Sequence, residues 1–152
     1  MLVYSSAFKN GQAIPFDYTG DSGNGSVNPP LEISDVPSLA QSLAIICSDP
    51  DAPSGPYIHW VIWNIPPSTA EISAGTPPAG IAGRNSGQYN GYRGPNPPAG
   101  SVHHYHFTVY ALNEMIPDNI LTSYSNAADL EQVIAGHKLD QAEIIGTYSK
   151  DQ

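Results

Sequence analysis

Residues 42–65 read SLAIICSDPDAPSGPYIHWVIWNI. The stretch opens on an apolar run, Ser42–Ser48, of strand rather than helix length. A break follows in which Asp49, Pro50, Asp51, Pro53, Gly55 and Pro56 crowd together. Beyond it, Ile58–Ile65 carries apolar side chains on both alternating faces, the pattern of a central strand buried on both sides. Two such runs place a sheet at the heart of the domain.

Working outward, Val102–Leu112 is rich in aromatic and β-branched residues and reads as another strand. Glu143–Tyr148 closes the chain as a strand, and Leu2–Phe8 opens it. Pro15–Tyr18 and Leu31–Val36 are short strand candidates in a loop-rich first third. Residues 66–100 are dense in Pro, Gly, Ser and Asn and show no periodicity. A loop of that length in a compact domain is usually functional or disordered. The one helix is expected late. Asn126 can cap it, Asp129 lies in its first turn, and Leu130, Val133 and Ile134 form its apolar stripe. Gly136 is expected to stop it, with His137 and Lys138 at the negative end of its dipole. With 15 prolines and 14 glycines, long helices do not survive between the breaks. Many strands and one helix predict a mainly antiparallel β domain with a peripheral helix.

The chain of 152 residues suits a single domain, 1–152, with one core. Its formal charge of −9 opposes nucleic acid and anionic membrane surfaces, and its five Lys and Arg form no run. No apolar run is long enough to cross a membrane. Residues 1–10 lack the basic start and apolar core of a signal peptide, so a cytoplasmic location is expected, with export also compatible with the composition. The lone cysteine, Cys47, sits in LAIICS and reads as a small buried hydrophobe rather than a nucleophile.

Candidate chemistry gathers at the histidines. In SVHHYHFTVY, strand alternation puts His103, Tyr105 and Phe107 on one face and His104, His106 and Thr108 on the other. His59 opens the neighbouring strand, so one face can gather His59, His103 and Tyr105 beside the loops DPDAPSGPY and GPNPPAG. Imidazoles, a phenol and stiff proline walls suit a small anion or phosphoryl group. His104-x-His106 could begin a metal site, but a third ligand at suitable spacing is missing, so no metal or other cofactor is expected. No nucleophile elbow, zinc-protease motif or phosphate-binding glycine loop is present, and no enzyme activity is expected. In the D-P-D turn, Asp51 is expected to accept backbone N–H groups and shape the loop.

DPDAP followed by HW and an apolar strand, and then GPNPPAG followed by HHYHFTVYAL, resemble the two signatures of the phosphatidylethanolamine-binding protein family. The tail AADLEQVIAGHKLDQAEIIGTYSK is similar to the ending of its bacterial and archaeal, Raf kinase inhibitor-like members. The resemblance runs from about residue 40 to the end of the chain. It implies a central antiparallel sheet, a second smaller sheet and few peripheral helices. It also implies a shallow anion pocket for phosphate or phosphorylated head groups, formed by Asp49, His59, Pro97, Pro98, His103 and Tyr105. Departures from the family pattern are His104 where Arg is common, His106 where an apolar residue is usual, and Asn96 where a small one is frequent.

Two expectations about function follow. The first is a binding or regulatory protein whose partner is a small phosphorylated or anionic ligand. Neither signature's core holds Lys or Arg, so its positive charge is expected from imidazolium, with Asp49 hydrogen-bonded to one of the histidines. The second is a serine protease inhibitor, an activity the resemblance also implies. The loop Ser54, Gly55, Pro56 and Tyr57 would then meet a chymotrypsin- or elastase-like protease through Tyr57. In the competing reading Tyr57 covers the pocket mouth.

Overall fold

The computed structural model describes residues 1–23 and 27–150. The central sheet has five antiparallel strands in the order β6-β4-β3-β7-β8: β3 is Ser42–Asp49, β4 Tyr57–Ile65, β6 Ile81–Ala82, β7 His103–Leu112 and β8 Lys138–Tyr148. A second sheet of three antiparallel strands runs β1-β2-β5, made of Leu2–Tyr4, Leu31–Ser34 and Glu71–Ile72. Among the described residues one α-helix, α1, spans Ala127–His137. The mainly β class with two antiparallel sheets is therefore the observed one.

Alternation along β3 sorts the core into two layers. Leu43, Ile45 and Cys47 join Trp60, Ile62, Phe107 and Val109 in a layer that also holds Leu31, Ile33 and Ile72 of the small sheet. Ala44 and Ile46 join Val61, Trp63, Leu112 and the helix residues Leu130 and Ile134 on the opposite face. A strand covered on both faces has no polar side, which is why 43–47 is apolar throughout. Cys47 is 1% exposed and burial pushes its thiol well above the usual range, so it is an inert core residue.

Several elements differ from the sequence reading. Pro15–Tyr18 contributes no strand; Phe16–Tyr18 is a 3-10 turn, with the Tyr18 N–H donating to the Pro15 carbonyl. The first strand stops at Tyr4, and β2 stops at Ser34 because Asp35 adopts φ +54°. The long loop 66–100 supplies two short strands, β5 and β6, that pair with β2 and β4.

The helix starts as expected. The Asn126 side chain accepts the Asp129 N–H, and the Asp129 carboxylate accepts the Asn126 N–H. Its end differs, since Gly136 stays within the helix and β8 begins directly at Lys138, five residues before Glu143. The Lys138 N–H still bonds the Ile134 carbonyl, while Lys138 itself is extended. His137 fixes this junction to the end of β7: its carbonyl accepts the Asn113 N–H, and its Nδ1 lies 2.9 Å from Asn113 Oδ1. A long-range tether of this kind overrides the local preference of glycine to end a helix.

Candidate functional site

The residues that carried the sequence argument meet at one end of the central sheet. Asp49 ends β3, Tyr57 begins β4 and His103 begins β7. There they border a cleft of ≈ 250 Å³, completed by Ala52, Pro53, His59, Arg93, Gly94, Asn96, Pro97, Pro98 and Tyr105. All six expected pocket residues, Asp49, His59, Pro97, Pro98, His103 and Tyr105, thus line one cavity.

His59 reaches it by a local irregularity. Cys47 lies opposite Trp60 and Ser48 opposite Ile58, so His59 is an extra residue in β4. Such a bulge re-aims a side chain that strict alternation would send to the other face. Trp60 packs in the layer shared with the small sheet, and His59 stands on the same side, its ring edge-on to Tyr105 at 5.2 Å.

Each histidine is locked through one nitrogen. The Nδ1–H of His59 donates to the Arg93 carbonyl at 2.6 Å, and the Arg93 N–H returns a bond to the His59 carbonyl at 2.8 Å. A carbonyl only accepts, so the proton of neutral His59 sits on Nδ1 and Nε2 is a bare acceptor. Burial pulls the His59 pKa down to about 4, against the raising effects of the Arg93 carbonyl and Asp49, so the ring is neutral at pH 7. His103 donates from Nδ1 to Asp49 Oδ2 at 2.6 Å, which realises the expected aspartate–histidine bond. The other Asp49 oxygen accepts the Asp51 N–H at 2.8 Å. Asp49 and His103 are nearly inaccessible, at 3% and 4% exposure. Burial, followed by Asp49, raises the Tyr105 phenol far above its ordinary pKa, so it stays protonated and able to donate.

The charge of the cleft corrects one expectation. Arg93 lies just before GPNPPAG and was not among the expected site residues, yet it lines the cleft, with its guanidinium carbon 5.7 Å from the Tyr57 ring centre. Arg93 supplies the permanent cation among the lining residues, whereas His59 supplies none at neutral pH. Its position directly before the second signature was the available signal. Reading the chain by strands alone passes over it.

Ser54, Gly55 and Pro56 are exposed at the rim, whereas Tyr57 is half-buried and its ring lies 4.8 Å from that of His59. Tyr57 therefore belongs to the cleft wall. Asp51 leaves the cleft and accepts both the N–H and Nδ1–H of His104, at 2.8 Å each. His104 holds its carboxyl below the usual range, so Asp51 is a loop-shaping residue. His106 faces Glu143 at 3.4 Å, so the two histidines of His104-x-His106 have separate carboxylate partners.

The proline loop is held from outside the cleft. The Gly20 N–H bonds the Pro95 carbonyl at 2.7 Å, and Lys150 bridges Asp21 and Asn96 at 2.6 Å each. Lys150→Ala is expected to cost less than about 1 kcal/mol, as for other exposed pairs. It is nevertheless expected to speed hydrogen exchange at the Gly20 amide severalfold, because Asn96 loses its anchor. An unchanged exchange rate would show that the loop holds itself.

Fold and cleft together define a two-sheet β protein with a ligand-sized cavity at the end of its larger sheet. The chain belongs to the phosphatidylethanolamine-binding protein family, whose model matches residues 4–149. It is 42% identical over 158 residues to a UPF0098 protein of Pyrococcus horikoshii, covering 98% of this chain and 77% of that one. The UPF0098 protein of Methanothermobacter thermautotrophicus is 40% identical, with 99% of both chains covered. Among solved structures, a phosphatidylethanolamine-binding protein homolog from Chlamydia trachomatis superposes with a TM-score of 0.90 at 35% identity, over 99% of this chain and 97% of that one. Escherichia coli YbcL, described as a member of the mammalian family, gives 0.86 at 33% identity over 97% of both chains.

Proposed function

We propose that this protein binds small phosphate-type anions, free or as phosphorylated head groups, in the cleft, and that it acts as a binding or regulatory protein rather than an enzyme. The supporting observation is the placement of Arg93 at a half-open cleft, beside two histidines and a tyrosine whose orientations are already fixed. Preset donors lose little conformational freedom when a ligand arrives. Arg93 offers the bidentate geometry that phosphate oxygens favour, and Tyr57, Pro53, Pro97 and Pro98 give an apolar wall to an organic substituent. The exposed rim Ser54–Pro56 is where a partner could sense occupancy; as a protease-binding loop it would act without Tyr57, which is engaged in the wall.

Titration with inorganic phosphate, followed by amide NMR, tests the proposal. Shifts are expected at Asp49, His59, Gly94, His103 and Tyr105. Arg93→Met is expected to weaken binding roughly ten- to a hundredfold, the worth of one hydrogen bond to a charged group. Shifts confined to residues outside the cleft, or an affinity indifferent to Arg93, would remove the reading.

A further inference from the structure

The five histidines differ in the partner of the ring and in its place. His59 lines the cleft, but its Nδ1–H donates to the neutral carbonyl of Arg93. His104 and His106 meet the carboxylates of Asp51 and Glu143, at 2.8 Å and 3.4 Å, but lie outside the cleft lining. His137 sits at the end of α1 between Asn113 and Glu114. His103 combines the two features: it lines the cleft, and its Nδ1–H donates to the buried Asp49 carboxylate at 2.6 Å. An ionised carboxylate only accepts, so the lone pair of neutral His103 is on Nε2. The negative charge at the other nitrogen raises the basicity of Nε2 and with it its nucleophilicity. That atom has no hydrogen-bond partner among the described residues, and the buried unpaired side-chain atoms there belong to Trp60, Trp63 and Arg84. Nε2 of His103 is therefore open to the cleft that its ring lines.

Resting on the anion-binding reading above, we propose that His103 is a phosphoryl acceptor, modified on Nε2 by small acyl phosphates that enter the cleft. The Nε2 lone pair forms the nitrogen–phosphorus bond while the bond from phosphorus to the acyl oxygen breaks. Its electron pair leaves with a carboxylate. The ring keeps its Nδ1–H and gains a positive charge, which the Asp49 carboxylate on that side offsets. The two negative charges of the acyl phosphate become three, two on the phosphoryl group and one on the carboxylate, balanced by the new charge of the ring. Arg93 lines the same cleft, and its permanent charge favours the phosphoryl group as it passes. The leaving group sets the ligand class. A carboxylate is weakly basic and departs unprotonated, whereas a phosphomonoester must expel a far more basic alkoxide. Phosphomonoesters therefore bind without transfer. One transfer fills one cleft, so this is a modification of the protein and not a turnover, and occupancy outlasts the encounter.

The unaltered protein carries its own controls. His104 has a carboxylate partner without the cleft, and His59 has the cleft without a carboxylate partner. Incubation with acetyl phosphate at neutral pH, with the labelled residue located by tandem mass spectrometry and the nitrogen–phosphorus bond by phosphorus NMR, compares the three rings directly. Label at His103 is expected to form about tenfold faster than at either control, or more. Access alone predicts the reverse order, because His103 is 4% exposed and the His104 side chain 52%. Inorganic phosphate should slow labelling of His103 and leave that of His104 unchanged. Ethyl phosphate should give amide shifts in the cleft and no label. Asp49→Asn, checked for folding by its amide spectrum, should slow the His103 reaction roughly tenfold through the lower basicity of the ring. Label on His103 no faster than on His104, or an Asp49→Asn protein that reacts at the parent rate, overturns the proposal. Cleft shifts with inorganic phosphate in the same sample would then leave the anion site standing. Neither label nor shifts overturns both.

Discussion

Replacing Asp49 by alanine is expected to lower the stability of the protein by about 3 kcal/mol, before any ligand is considered. Asp49 is 3% exposed, and its two oxygens serve different partners, the His103 ring at 2.6 Å and the Asp51 backbone at 2.8 Å. Alanine leaves the His103 Nδ1–H buried without an acceptor and frees the turn that leads from β3 towards the rim. The lost charge also relieves a desolvation penalty, which keeps the figure below the upper range for a broken buried pair. For a chain of this size the thermal midpoint should drop by roughly 6–12 °C. Asp49→Asn keeps one oxygen acceptor and should cost about half as much. Urea unfolding of both variants gives the comparison. An alanine variant within about 0.5 kcal/mol of the parent would mean that water replaces the carboxylate, and that His103 is not held by it.

Gly94→Ala is expected to cost a similar amount, about 3 kcal/mol, at the upper end of over-packing. A Cβ at this position would lie 2.6 Å from the Thr19 carbonyl carbon, 2.7 Å from the Gly20 nitrogen and 2.8 Å from the Tyr18 oxygen. All three are backbone atoms of a neighbouring segment, so no side-chain rotation relieves the overlap. The loop must swing away from residues 18–20, breaking the bond from Gly20 to Pro95 and carrying Arg93, Pro97 and Pro98 with it. Phosphate binding should therefore fall by more than the tenfold expected of a mild perturbation, in parallel with the loss of stability. Gly100 provides the contrast: it has a φ of +85° and open space around it, so alanine there should cost about 1 kcal/mol and leave the cleft shape intact. A Gly94→Ala variant that binds phosphate as the parent does would show that the proline loop is not a wall of the site.

These two positions illustrate how unevenly the site could be read in the sequence. Asp49, His59, His103 and Tyr105 were visible because they stand at the ends of strongly apolar runs, where a short-period pattern stops and polar residues begin. Pro97 and Pro98 were visible through the signature that holds them. Gly94 opens that same signature, but its close packing was not legible there, and Arg93, one residue before it, was not visible by pattern. Their roles come from the approach of residues 18–20 and from the two backbone hydrogen bonds with His59, contacts between segments far apart in the chain. The end of the helix shows the same division. Its start is a local hydrogen-bond cycle between Asn126 and Asp129, legible in four residues, while its passage through Gly136 depends on Asn113 of another element.

The sequence by itself determined that β3, β4 and β7 are strands, and that His103, Tyr105 and Phe107 share a face, because strand alternation is a property of adjacent residues. It also determined which two segments carry the polar groups of the cleft. Only the tertiary structure decided that His59 is bulged onto that face, that Arg93 borders the cleft, and that His59 is neutral at pH 7. A bulge is set by the register of the partner strand, a loop's path by the surface it packs on, and a pKa by burial and the charges that folding brings near. Each of these depends on residues distant in the chain, and a local pattern carries no record of them.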